Sequence, residues 1–422
     1  MRTYRELFRT PEFTPLFVAS CAQVASTTVG GLALATLVYA RTDSPLLATL
    51  SMFGPSFAEL VGATALLSAA DRVRPRAALT LTALAGGLAA LVLAAPGLPL
   101  WAMFAVLAAS GLVTSLGGGV RYGLLNEIVP PDGYVLGRSV LNISVGAMQI
   151  AGFALGGVLL AAMSPRTALT VGAALAFGAA LVLLTRLRDR PPRATGRPSV
   201  AATWRVNRHL LSTPDRRAIY LAMWLPNGLV VGCEALFVPY APHAAAALFV
   251  AAAVGMLLGD LTAGRFLPPA ARSRLVTPLR FLLALPYLLF ALPVSTPVAV
   301  LAAALASVGF ASTLLLQERL MAVVGADVRG QALGLHVTGM KGAQAIGATL
   351  AGVTAQHLPV GVTMAVLAAA SLAVTAALGP GLRQPRFQPA PNSPSRSSAR
   401  RTSHGGPGIP VTVSAVDPSV RT

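Results

Sequence analysis

Runs of eighteen or more nearly uncharged residues recur along this chain, and they limit its fold more than any other feature. At ~1.5 Å per helical residue, each run is long enough to cross a ~30 Å hydrocarbon core. The chain is 55% hydrophobic and 11% charged, with a mean hydropathy of +0.70. A soluble domain cannot hide so much apolar surface behind so little charge. The fold class is therefore an all-α membrane protein.

Twelve spans read at about 13–39, 46–69, 77–95, 100–120, 141–163, 168–185, 219–240, 244–265, 277–293, 297–320, 331–355 and 361–380. The breaks carry turn chemistry such as "TDSP", "APGLP", "MSPRT" and "LPVST". Counting basic residues by side sets the orientation. With both termini inside, only Arg41 and Arg166 fall outside, against 29 arginines on the cytoplasmic side. The remaining basic residue is Lys341, the only lysine, and it lies within an apolar run. This reading places the chain in the cell membrane as a multi-pass protein.

The start "MRTYRELFRTPEFTP" carries charges of both signs and precedes a run too long for a cleavable signal, so the first span is expected to be retained. The net charge of +18 does not indicate nucleic acid, because the arginines are spread over the connections between spans. Cys21 and Cys233 both lie within spans, as apolar packing residues rather than a disulfide framework.

The segment 186–218 is a basic, Pro-containing linker with a candidate interfacial helix from Val200 to Leu211. It divides the spans six and six. The organisation is a cytoplasmic N-terminus over 1–12, a bundle over 13–185, the linker, a second bundle over 219–381, and a Pro-, Ser- and Arg-rich tail over 382–422 that reads as disordered. The halves repeat at an offset of about 193 to 195 residues, pairing Gly62 with Gly255, Arg72 with Arg265, Gln149 with Gln344, Gly152 with Gly347 and Gly157 with Gly352. Such a repeat implies two parallel six-helix bundles related by an axis along the membrane normal.

With these features the sequence resembles the major facilitator superfamily over about residues 5 to 381. The family's signature between spans two and three is Gly, three residues, Asp-Arg, one residue, Gly-Arg-Arg. In "LSAADRVRPR", Asp71, Arg72 and Arg76 match it, while Leu67, Arg74 and Pro75 depart. The resemblance implies a cytoplasmic gate at Asp71, Arg72 and Arg76, with the departures allowing a different latch. Gly152, Gly156 and Gly157 resemble the glycine-rich fifth span of the family's antiporters, though Gly157 stands where proline is expected. The arginine usual in the fourth span of antiporters is missing. The opening forty residues are similar to the exporters around enterobactin and macrolide efflux.

Four ionisable residues fall at membrane depth, where each costs roughly 2.5–3.5 kcal/mol on insertion scales. These are Glu59, Glu234, Asp260 and Lys341. Glu59 and Lys341 each sit ten residues from the cytoplasmic end of their spans, about 15 Å deep. The family packs spans two and eleven together, so the two charges are expected to meet, either as a structural rivet or as part of the transport cycle, the alternative being that each faces a wet cavity unpaired. Thr338, Lys341 and Gln344 share one helical face. Glu234, on a face with Trp224, Asn227 and Val231, either binds substrate or a proton near the outer gate, or reaches to the outer headgroups. Asp260 is expected to pair locally with Arg265. Gln23 and Thr27, with Phe310 and Gln317, are cavity candidates, interhelical packing being the alternative for each.

No Walker loop occurs, so ATP is not the energy source, and no metal-ligand or Ser/His/Asp spacing points to catalysis or to a cofactor. The leading expectation is a monomeric, proton-coupled exporter of a small, partly apolar compound. The alternatives are a facilitator or importer of an anionic metabolite with Lys341 as its partner, and a non-transporting sensor or scaffold.

Overall fold

Proline at the first helical position is the recurrent device by which this chain starts its helices. The computed structural model describes residues 4–70, 73–115, 117–130, 133–191, 200–325 and 328–382. Over these residues the protein is an all-α, multi-pass membrane protein in one compact unit. A short helix, α1 (Tyr4–Arg9), leads to α2 (Phe13–Thr42), which stops where Asp43 turns left-handed (φ 48°) and donates its N–H to Tyr39 O. Helices α3 (Pro45–Ala70), α4 (Pro75–Ala94) and α8 (Pro165–Arg186) each begin on proline, whose missing N–H would have been unbonded there in any case. Ser164 caps α8 by accepting from Thr167 N–H.

Between α4 and α8 lie α5 (Leu100–Thr114), α6 (Gly117–Ile128) and α7 (Tyr134–Ala162). After the linker helix α9 (Val200–Leu210) come α10 (Pro214–Ala235), α11 (Phe237–Tyr240), α12 (Ala245–Leu261), α13 (Pro269–Ala284), α14 (Thr296–Val308), α15 (Ala311–Val323), α16 (Arg329–Thr354) and α17 (Val360–Leu378). Nine helical segments among the described residues are long and apolar enough to cross a membrane.

Several expected spans are broken, at prolines that remove a backbone bond or beside glycines. The interval 100–120 divides between α5 and α6 beside the glycine run at 117–119. Pro239 cannot donate to Ala235 O, and α10 gives way there to the single turn α11. Pro286 likewise marks the change from α13 to a 3₁₀ stretch, Leu285–Ala291. The helix pair α14 and α15 breaks at Gly309, where a Cβ would strike the backbone of Leu279 and Leu283 on α13. Beyond α12 the chain widens into a π turn, Thr262–Phe266.

Close helix approaches repeat across the chain. A Cβ on Gly62 would meet α5 at Ser115 and Leu112, and one on Gly255 would meet α14 at Ala304. Gly152 abuts Thr28 of α2, and Gly347 abuts Gly228 of α10. Gly157 abuts Ala246 of α12, and Gly352 abuts Leu46 and Thr49 of α3. Each member of a sequence-repeat pair thus meets the corresponding helix in its own half, or, in the last pair, in the other half. Small residues let helices approach until dispersion and polar contacts take effect, which is the main attraction available between helices in lipid.

The buried apolar residues form cores at different levels. One core uses only residues before 190, including Leu7, Phe13, Leu125, Leu141 and Leu183. Another uses only residues after 200, including Leu210, Tyr220, Val276, Leu316 and Ala332. A third joins Leu32 and Ala35 of α2 to Val230, Phe237, Phe249, Tyr287 and Phe290.

The α10–α16 approach is tight enough to test. Gly347→Ala places a methyl against Gly228 O and is expected to cost about 1–3 kcal/mol, because neither backbone can yield. Gly334 has nothing within 4 Å of its would-be Cβ, so Gly334→Ala on the same helix is the control. Thermal unfolding in detergent should drop for the first and hold or rise for the second. Equal shifts would refute the close-packing account.

Candidate functional site

The single lysine meets an acid. Helices α3 and α16 are each 26 residues, about 39 Å, and cross with Gly342 beside Leu60. One residue from that contact, Lys341 Nζ donates to Glu59 Oε1. The Glu59 side chain is 19% exposed and that of Lys341 41%, so one flank of the pair is open. The same helix pair is tied at its other end, where Gln356 Nε2 donates to Ser44 Oγ at 2.7 Å. The two opposite charges offset each other across the α3–α16 seam.

Gln344, one turn beyond Lys341, faces α10 instead. Its Nε2 donates to Asn227 Oδ1 at 2.9 Å, and Asn227 is buried. The two amides satisfy each other across the α10–α16 contact. Trp224 Nε1 donates to His336 O at 3.1 Å on the same contact. His336 is buried, with Nε2 2.9 Å from Gln317 Nε2 of α15 and with Nδ1 unpartnered among the described residues. The link to a histidine was missed from sequence, since His336 and Gln317 lie on different helices with no shared spacing.

Glu234 occupies a separate place near the end of α10. Ser307 Oγ of α14 donates to Glu234 Oε1 at 3.4 Å. The Tyr287 hydroxyl lies near the same carboxylate without reaching hydrogen-bond geometry. Around it runs an aromatic chain: Phe153 stacks on Phe249 at 4.6 Å, Phe249 meets Phe237 edge-on at 5.0 Å, and Phe237 faces Tyr287 at 6.3 Å. No cation pairs with Glu234 among the described residues.

The other expected residues fall out singly. Asp260 is exposed and makes no ion pair with Arg265, contrary to the local pairing read from sequence. Five residues is not the three- or four-residue spacing that sets helical side chains side by side. Thr27 Oγ1 bonds back to Gln23 O and Val24 O, while Gln23 lies beside Gly86 of α4. Phe310 sits at the α14–α15 break against the joining core. Asp71 and Arg72 lie outside the described residues, and Arg76 is half-buried without an ion pair to another described residue. Arg280, counted from sequence among the cytoplasmic arginines, is 1% exposed, with its guanidinium nitrogens unpartnered among the described residues.

An ion cluster the sequence did not reveal closes one end of the first helices. Arg190 grips Glu12 with both Nη atoms, at 2.6 and 2.8 Å, while Arg188 N–H donates to the same carboxylate at 3.1 Å. Arg190 Nε also lies 3.6 Å from Glu127, and Asp189 pairs with Arg74, one of the departures from the family signature. The triplet Arg188–Asp189–Arg190 thereby ties α8 to the starts of α2 and α4 and the end of α6.

Burial pushes the Glu12 carboxyl up, but the hydrogen bonds and charges of Arg190 and Arg188 outweigh it and hold the group below its ordinary value. A depressed carboxylate contributes stability that is full above the unfolded-state value near 4.5 and is lost as pH falls through the lower folded value. Wild type should therefore lose stability on acidification below pH 4.5 more steeply than Glu12→Gln, followed by unfolding in detergent. Parallel profiles would remove Glu12 from the account.

For the Glu59–Lys341 pair, Lys341→Met alone leaves Glu59 uncompensated, and Glu59→Gln alone leaves Lys341 so. The double variant should be more stable than the sum of the single effects predicts, with a coupling of about 0.5–3 kcal/mol. Strict additivity would mean the contact carries no energy.

A family model described as Major Facilitator Superfamily matches residues 16–317. No curated protein matches the chain. Among solved structures, the nucleoside transporter NupG is similar at a TM-score of 0.69 and 17% identity, over 88% of this chain and 99% of that one. The peptide transporter POT in complex with sulfate is similar at 0.69 and 15% identity, over 88% and 94%. At these identities the likeness is one of fold alone.

Proposed function

Because the chain belongs to the Major Facilitator Superfamily and carries out secondary active transport rather than catalysis, we propose that it is a proton-coupled exporter of small, partly apolar compounds working by alternating access. The observation that carries this reading is the Glu59–Lys341 ion pair, which joins α3 to α16. In this reading the chain has twelve spans in two six-helix bundles, 13–185 and 219–381, joined by the linker 186–218, and acts as a monomer. The equivalent glycine contacts support it, because parallel halves related by an axis along the membrane normal place corresponding residues against corresponding helices. Both termini are cytoplasmic, supported by the arginine distribution.

Alternating access needs halves that separate at one end while closing at the other. The cores fit that need: each half has apolar cores of its own, and another bridges the two. In the proposed cycle Glu59 and Lys341 part when a proton neutralises Glu59. Glu234 supplies a second protonatable carboxylate toward the outer side, and Asp260 a third, near the cytoplasmic end of its span. Asp71, Arg72 and Arg76 latch the inner gate, with Arg74 and Asp189 reinforcing it within the first half. Gln23, Thr27, Trp224, Phe310 and Gln317 bound the cavity, and Asn227 positions α16 through Gln344.

The likeness of the opening residues to the enterobactin and macrolide exporters favours export. The anion-importer alternative needs Lys341 free for substrate, and its contact with Glu59 counts against that. The test is reconstitution in liposomes under an imposed pH gradient with a panel of candidate compounds. Compound-dependent proton movement opposite to substrate is the expected result, and Glu59→Gln with Lys341→Met should abolish its dependence on the gradient. Substrate flux without proton movement would establish a facilitator, and no flux across the panel would favour the scaffold.

A further inference from the structure

We infer that α9 is a sensor of membrane surface charge, seating Trp204, Arg205 and Arg208 on anionic phospholipid headgroups. The helix is two-faced. Leu210 is buried in the core of the second half, Val206 packs on that core, and Asn207 Oδ1 accepts from Gln331 Nε2 at the start of α16 at 3.3 Å. At ~100° per residue, Trp204, Arg205, Arg208 and His209 fall on the opposite face. All four are exposed, Trp204 at 63%.

The chemistry of that face selects its occupant. The α9 sequence, VAATWRVNRHL, holds no acidic residue, and neither arginine has an acidic partner among the described residues. A tryptophan flanked by arginines suits the headgroup layer, where the indole is half in apolar surroundings and the guanidinium groups meet phosphate. Other aromatics at this end of the molecule are exposed in the same way: Tyr4 at 60% on α1, and Phe266 at 70% at the π turn beside Ala263 of the same core. Trp101, 76% exposed at the start of α5, marks the opposite boundary. On the proposed orientation, α9 faces the anionic inner leaflet, where each arginine near the surface adds to the attraction. Because α9 grips the start of α16, lipid charge acts directly on the helix that carries Lys341.

The whole protein is reconstituted in vesicles of phosphatidylcholine alone and with phosphatidylglycerol added. The Trp204 signal is the emission difference between a given chain and its Trp204→Phe counterpart. With phosphatidylglycerol present, this signal should shift to the blue, be quenched by a headgroup-attached nitroxide lipid and resist iodide in the water. In Arg205→Gln/Arg208→Gln the response to phosphatidylglycerol should disappear while thermal unfolding stays at the wild-type temperature. Three outcomes overturn the assignment. They are iodide quenching that is the same in both vesicles, a phosphatidylglycerol response that survives the double substitution, and protection from iodide without quenching by the lipid nitroxide. The last would place the face against protein.

Discussion

The close passage of helix past helix is the constraint on which the rest of this molecule depends. In lipid the hydrophobic effect no longer drives helices together, so packing must come from contact at short range. The chain meets that demand with glycines at Gly62, Gly157, Gly255, Gly347 and Gly352, each facing the backbone or a small side chain of a neighbour. The Asn227–Gln344 bond and the Glu59–Lys341 pair both lie on seams that such contacts narrow. A bulkier α16 would stand off from α10, and the hydrogen bond between the two amides would be the first to break.

What was legible in the sequence is what the bilayer dictates through length and spacing. Apolar runs reappear as helices, nine of them long and apolar enough to span among the described residues, and the repeat offset reappears as equivalent glycine contacts. The meeting of Glu59 and Lys341 was legible only with the resemblance in hand, because depth alone gives a shared level and no shared seam. The helix breaks at Leu236 and Gly309 were not legible, since a run of apolar residues looks continuous whether or not its hydrogen-bond ladder is. The burial of Arg280 was not legible for a related reason: counting arginines by side says nothing of whether one is solvated, and this one is buried. The Glu12–Arg190 grip joins positions 178 residues apart, and no local pattern announces it.

The apolar cores and the ion contacts belong to one mechanical description. The first half is fastened at one end by Glu12, Arg188, Asp189, Arg190 and Arg74, all of them within that half or its exit. The second half has its own fastening, with Arg319 reaching Ser273 O and Leu382 O, and Arg272 reaching Glu318. Neither set crosses between halves. On the proposed division each half would be stiffened as a body, with bridging contacts in the aromatic core and along α3–α16 and α7–α12. Bodies that are internally clamped and joined along narrow seams can rock without unfolding, which is what the proposed cycle asks of them.

The choice of lysine at 341 fits that cycle better than arginine would. A guanidinium keeps its charge under any condition the protein meets and would grip Glu59 with two parallel bonds. An ammonium offers a point contact on a flexible stem and can give up its proton when desolvated. In a chain with 31 arginines, substitution of that one lysine by arginine would be the composition's default. Lys341→Arg should accordingly preserve the contact and raise thermal stability or leave it unchanged, while slowing exchange between the two open states. That slowing would appear as a lower maximal flux in the liposome assay at unchanged apparent affinity. If the arginine variant transports at the wild-type rate, the pair is a rivet, and the coupling proton must be carried elsewhere, with Glu234 the next carboxylate to test.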